Sequence, residues 1–188
     1  MQATTIFTLP GWLNSPPTHW QSLWETTFGD VRVQQYDWDT PLRGDWITRL
    51  EDTVQNHLAK HSQNPEARIT FVAHSLGCHL VAAWAALSPN VHRVTGALLV
   101  APPDPSMLDL PPQLHSWKKP VLNKLPFKTT LVASTRDPFC SFTAAESLAA
   151  SWGSRMVSAG PIGHINADSG LKDWSTGRAM LMELAQTA

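Results

Sequence analysis

Cysteine is almost absent from this chain, with Cys78 and Cys140 the only two in 188 residues. Two thiols make no disulfide framework, and their spacing is not that of a metal site. Charge is also scarce: 15% of residues are charged, 14 basic and 15 acidic, for a net charge of -1. No block of like sign stands out, which argues against nucleic acid or an anionic membrane as a partner. No apolar run approaches the roughly 18 residues that a membrane span requires. The opening MQATTIFTLPGW has no basic n-region and too short an apolar run for a secretory signal. These absences give the expectation of a reduced, cytoplasmic protein with no cofactor and no metal. No repeat or low-complexity tract is present either.

What is there suits one domain over residues 1–188, with 43% of residues hydrophobic, enough for a single large core. Tryptophan is abundant, at positions 12, 20, 24, 38, 46, 84, 117, 152 and 174. Packing accounts for most of these; Trp20, Leu23, Trp24 and Phe28, for instance, share one helical face.

Five short runs read as strands: TTIFTL (4–9), VRVQQY (31–36), ITFVA (69–73), TGALLVA (95–101) and TTLVAS (129–134), with a weaker sixth at RMVSA (155–159). Helical patterns lie between most of them. Thr18–Phe28 has Thr18 as its expected N-cap, and Asp45–His61 spaces Trp46, Leu50, Val54 and Leu58 by four. Leu76–Leu87, Thr143–Trp152 and Gly170–Ala185 follow. Alternation of this kind predicts an α/β fold with about six mostly parallel strands and helices on both faces. The segment 102–128 carries seven prolines and interrupts the alternation. A long irregular segment there reads as a flap over the open end of the sheet.

At ITFVAHSLGCHLVAAWAAL (69–87) a strand turns abruptly into a helix at Ser75. Ala73 and Gly77 are small residues two before and two after the serine, as a tight strand–serine–helix turn requires. Such a turn projects the hydroxyl above the sheet edge, beside a helix N-terminus that favours developing negative charge. A helix-capping serine is the plainer alternative.

A serine nucleophile needs a base and an orienting acid, and in this kind of sheet the chain order is serine, acid, histidine. Strand TTLVAS runs into Asp137, and the sixth strand runs into the glycine-flanked His164. Ser75, Asp137 and His164 thus fall past the ends of three separate strands on one edge. The plainer role for Asp137 is to cap the helix starting near Thr143 or to hold a turn. Rival acids are Asp104 and Asp109 in the proline-rich segment, and Asp168 and Asp173, which follow His164 in the wrong order. His57 and His61 have i,i+4 spacing but no accompanying acid motif, so a solvated helix face is expected. His74 and His79 flank the turn on different helical faces. The oxyanion donors expected are the backbone N–H of Leu76 and that of Trp12 in the loop after the first strand, with Leu13 the second choice. Leu13 and Trp117 are expected to line an apolar acyl pocket.

These motifs resemble the small α/β-hydrolase family of serine hydrolases typified by retinoblastoma-binding protein 9 and its bacterial relatives. The resemblance covers nearly the whole chain and rests on LPGWLNSPPTHWQSLWE (9–25), FVAHSLGCHLVAAWA (71–85), LLVAPPD (98–104), LPFKTTLVASTRDPF (125–139) and LAASWGSRMVSAGPIGHINADSGLKDW (148–174). It implies a minimal α/β-hydrolase fold, with the family's serine, acid and histidine on Ser75, Asp137 and His164. Two positions depart from the family pattern: Ala73 replaces the glycine that usually opens the elbow, and Arg136 stands where relatives often carry an acidic or amide residue. The activity expected is cleavage of a small carboxylic ester through an acyl-enzyme. A thioesterase or amidase with the same three residues is an alternative, as is a protein-binding module on a hydrolase scaffold.

Overall fold

The computed structural model of the chain describes residues 4–64, 66–106 and 110–186. Six strands form one sheet: β1 (Thr4–Leu9), β2 (Val31–Arg32), β3 (Arg68–His74), β4 (Val94–Val100), β5 (Lys128–Ala133) and β6 (Arg155–Ser158). Their order is β2-β1-β3-β4-β5-β6, and every neighbouring pair is parallel. The chain enters at β1, steps outward to β2, then returns past β1 to lay down β3 and the rest. The order therefore reverses between β1 and β3, and such a reversal opens a crevice at the carboxyl ends of the strands.

Both faces of the sheet are covered. Phe7, Phe71, Leu99 and Leu131 point to one side and join α2 (Arg43–Lys60), α3 (Leu76–Ala85) and α4 (Phe142–Trp152) in one core cluster. Ile6, Val72, Leu98 and Val132, their chain neighbours, point to the other and join α1 (Trp20–Phe28) and α5 (Ser175–Gln186) in a second. The period of two explains why β4 is buried at every residue: both of its faces meet helices.

Three local expectations are corrected. The second strand pairs only at Val31 and Arg32; Val33 still donates to the Thr8 carbonyl at 3.0 Å, after which the chain turns away. The N-cap of α1 is His19, whose side chain accepts from the Gln21 N–H, and not Thr18. The last helix starts at Ser175, because Gly170, Lys172 and Trp174 all adopt positive φ and cannot continue a right-handed helix.

The tryptophans are mostly packing residues, as composition suggests. Trp20, Trp24 and Trp174 form one aromatic group with centroids 4.8–6.0 Å apart. Trp38, Trp46 and Trp117 form another at 5.4 and 5.6 Å. Each such pair contributes on the order of 1 kcal/mol beyond its burial. Phe28 does not share the buried face of α1; it is half-exposed under the Arg178 guanidinium.

The described part of the proline-rich segment is laid along the α2–α4 side. Leu114, Trp117 and Leu125 join that core, the Leu125 N–H donates to the Trp152 carbonyl, and the Trp117 Nε1–H donates to the Pro41 carbonyl. A short 3-10 helix, Pro112–Trp117, forms within it. Among the described residues no helix is long and apolar enough to cross a membrane.

Candidate active site

Strands β1, β3, β4, β5 and β6 run in parallel register to one rim, where Leu9 pairs with Ala73, His74 with Val100 and Ala133 with Ser158. The loops leaving that rim carry the chemistry. Ser75 follows β3 directly, with φ 54° and ψ -124°, a conformation that costs a non-glycine residue about 1–3 kcal/mol. Its N–H donates to the Val100 carbonyl at 2.9 Å, and its own carbonyl accepts from the Cys78 N–H at 3.0 Å. Those two bonds fix the turn and leave the side chain partly exposed. Ser75 is therefore not a side-chain cap of α3: its hydroxyl bonds none of the helix's amides.

Two glycines let the backbones close up around it. A Cβ on Gly77 would lie 2.2 Å from the Leu9 carbonyl oxygen, so only glycine lets α3 start this near to β1. A Cβ on Gly11 would lie 2.7 Å from the Cβ of Ser75. The loop after β1 thus abuts the serine across the crevice that the strand order predicts. Ala73, in the place of the usual elbow glycine, is fully buried in the core and leaves the turn formed.

The loops after β5 and β6 meet beside this turn. The His164 Nδ1–H donates to both carboxylate oxygens of Asp137, at 3.0 and 2.9 Å, and the Asp137 side chain is almost wholly buried. Asp137 Oδ1 also accepts from the Phe139 N–H at 2.9 Å, so the turn role and the pairing with His164 coexist. Arg136 is exposed and makes no ion pair with Asp137.

Of the expected oxyanion donors, Leu76 opens α3, where first-turn amides have no intrahelical partner. The backbone N–H of Trp12 meets no acceptor among the described residues, and the Trp12 indole is pinned by its bond to the Asp39 carbonyl at 2.8 Å. Leu13 is excluded as a donor, because its N–H is given to the Trp38 carbonyl at 3.1 Å; its side chain is 58% exposed at the rim. Trp117 lines no substrate surface, being 2% exposed and packed edge-on against Trp46.

The rival residues are accounted for elsewhere. Asp104 accepts from the N–H and hydroxyl of Ser106. Asp168 sits in the short Ala167–Ser169 helix, and the Asp173 carbonyl accepts from the Trp24 indole. Asp109 lies outside the described residues. His57 and His61 have rings 4.3 Å apart, but His57 also packs edge-on to Phe7 and so is not simply solvated. Among the described residues no group of three or more ligating side chains could hold a metal. His79 donates through Nε2 to the Pro103 carbonyl at 2.8 Å, tying α3 to the proline-rich segment. Burial raises both thiols, Cys140 to about 12, so neither is a ready thiolate.

Three supporting residues escaped the sequence reading. His74 Nε2–H donates to the His164 carbonyl at 2.9 Å, and the Trp20 indole donates to the next carbonyl, that of Ile165, at 2.8 Å. Burial holds the His74 pKa well below the ordinary histidine value, so it is a neutral donor there. Buried Ser134 accepts from the N–H groups of Arg136 and Ile162, joining the acid loop to the histidine loop. Apart from the local bond between Ser134 and Arg136, these contacts link residues far apart in sequence, and only the position of His74 beside the serine hinted at one. Two surface clefts, of about 680 and 430 Å³, lie away from these residues; the first is lined by Arg68, His92 and Lys128, the second by Ser22 and Arg32.

Comparison with known proteins agrees with this architecture. The family described as serine hydrolase matches residues 6–183. A YdeN-like hydrolase from Pectobacterium atrosepticum has a solved structure 27% identical to this chain, with a TM-score of 0.80, covering 97% of this chain and 91% of its own. The ydeN gene product of B. subtilis is 18% identical, with a TM-score of 0.68, over 97% of this chain and 98% of its own. Est1E from Butyrivibrio proteoclasticus, solved with ferulic acid bound, is 14% identical, with a TM-score of 0.70 over 98% and 91%. The last two likenesses show the fold alone. A search of curated proteins gives no match.

Proposed function

The chain belongs to the serine hydrolase family, and from that premise we propose that it cleaves small carboxylic esters by acyl transfer through Ser75, His164 and Asp137. The observation that carries this reading is the Asp137–His164 pair held at the rim where Ser75 stands on its strained turn. With Nδ1–H given to the carboxylate, Nε2 on the other edge of the ring is the atom left to take a proton from Ser75. The Ser75 oxygen then bonds the ester carbonyl carbon, and its proton passes to Nε2. Asp137 stabilises the resulting imidazolium, while the amides of Leu76 and Trp12 donate to the carbonyl oxygen as it becomes negative. The carbon–alkoxy bond breaks, and the proton on Nε2 leaves with the alcohol. Water repeats the sequence on the acyl-enzyme, releasing the carboxylic acid and restoring the serine. An ester suits this site better than an amide because an alkoxide leaves more easily than an amine.

The narrower kinship with the retinoblastoma-binding protein 9 type is part of the proposal and rests on the motifs at 9–25 and 148–174. A fluorophosphonate probe tests the nucleophile. Wild-type protein is expected to be labelled at Ser75, and Ser75→Ala to escape labelling. Labelling that persists in the variant removes Ser75 from the role, and an unlabelled wild type favours a binding module.

A further inference from the structure

Phe139 is half-exposed, at 49%, yet its ring stands edge-on to the imidazole of His164 with centroids 4.7 Å apart and an interplanar angle of 74°. Its N–H donates to Asp137 Oδ1 at 2.9 Å and its carbonyl accepts from the Asp104 N–H at 2.8 Å. Pro138 before it fixes a further dihedral. The backbone is thus pinned at both polar atoms, one of them to the acid itself, which anchors the Cα that carries the ring beside the Asp137–His164 pair. On its other contact the imidazole meets His74, which is buried, with centroids 4.9 Å apart. Phe139 therefore supplies the exposed apolar wall beside the general acid.

From that placement we infer that Phe139 selects the alcohol half of the ester, favouring esters of flat, apolar alcohols such as arylmethyl alcohols. The inference rests on the acyl-transfer reading above. The two halves of an ester are kept apart by the chemistry. The carbonyl oxygen must lie at the amides of Leu76 and Trp12, on the β1 side of Ser75. The departing oxygen must lie within hydrogen-bond reach of His164 Nε2, since that atom gives it its proton. Whatever the departing oxygen carries then lies next to the imidazole, which the Phe139 ring contacts. The acyl chain extends toward the loop bearing Leu13, which is 58% exposed and follows Gly11 next to Ser75. An aromatic alcohol gains an edge or face contact with Phe139 that an alkyl chain of the same length cannot make.

The test compares benzyl acetate with methyl acetate, two alcohols of similar acidity, and methyl hexanoate with methyl acetate, which varies only the acyl half. In Phe139→Ala the benzyl-to-methyl ratio of kcat/KM is expected to fall about fivefold to tenfold, chiefly through KM, while the hexanoate-to-acetate ratio moves less than about twofold. Phe139→Leu keeps an apolar side chain without a π-face and is expected to lose most of the same preference, which guards against a folding defect in the alanine variant; Phe139→Tyr is expected to keep it. An equal loss on benzyl and methyl acetate, seen in kcat, overturns the inference and makes Phe139 a positioning residue for His164. A change confined to the acyl series overturns it in favour of an acyl-side wall. Wild-type turnover that Ser75→Ala abolishes, with ratios untouched by Phe139 variants, sinks this inference alone. A wild type that hydrolyses none of these esters sinks the acyl-transfer reading with it.

Discussion

His164 and Asp137, 27 residues apart in the chain, meet with the imidazole Nδ1 at 2.9 and 3.0 Å from the two carboxylate oxygens. That pairing fixes which ring nitrogen holds the resting proton. Asp137→Asn preserves the shape but presents an amide whose NH₂ can turn toward Nδ1, favouring the tautomer with its proton on Nε2. Ester turnover is expected to fall by ~10³ to ~10⁴ in kcat with little change in thermal midpoint. A loss under about tenfold, measured by steady-state kinetics on a well-folded variant, contradicts the assigned roles.

Ser75 holds φ 54°, a backbone conformation that costs a non-glycine residue stability. Ser75→Gly removes the strain of that conformation but adds freedom to the unfolded chain, so the net gain is about 1 kcal/mol. For a chain of this size that raises the thermal midpoint by roughly 2–4 °C, while hydrolysis disappears. Calorimetry on the two proteins checks this; an unchanged or lowered midpoint means that the strain of the turn does not exceed the freedom that glycine adds to the unfolded chain.

Gly11 and Gly77 both admit a close approach, but to different neighbours. At Gly77 an added methyl would meet the Leu9 carbonyl at 2.2 Å, backbone against backbone, where nothing can give. Gly77→Ala is expected to destabilise by about 3 kcal/mol or to prevent folding. At Gly11 the methyl would press on the Cβ of Ser75 at 2.7 Å, with the His74 carbonyl oxygen at 3.2 Å. Gly11→Ala is expected to fold, with kcat lowered by at least ~10² because the nucleophile or the Trp12 amide is displaced. Equal thermal losses in the two variants would show that the distinction is wrong.

His19 gives the fold an acid-sensitive element. Burial lowers its pKa from 6.5 to about 3, with the positive charge of Arg32 and the neighbouring His164 acting in the same direction. The unfolded chain therefore binds this proton more tightly than the folded one. The stability conferred by neutral His19 is present above pH 6.5 and declines as pH falls from there toward 3, by at most about 1.4 kcal/mol per pH unit. His19→Asn retains an acceptor for the Gln21 N–H but cannot be protonated. Urea titrations between pH 7 and 4 are expected to show a shallower fall in stability for the variant; parallel curves would refute the assignment.

The residues themselves determined the alternation of strand and helix, the turn at Ser75 and the chain order of Ser75, Asp137 and His164, because each is a local pattern of period, size or spacing. The strand order, with its reversal between β1 and β3, had no local signature, nor did the support of the His164 loop by His74, Trp20 and Ser134. Those depend on buried donors and acceptors finding partners across the sheet, and a buried polar group carries no mark of its partner in sequence. Trp117 shows the same limit from the other side. Its amphipathic ring reads equally well as a pocket wall or as core, and only packing against Trp46, with its N–H satisfied by Pro41, made it core.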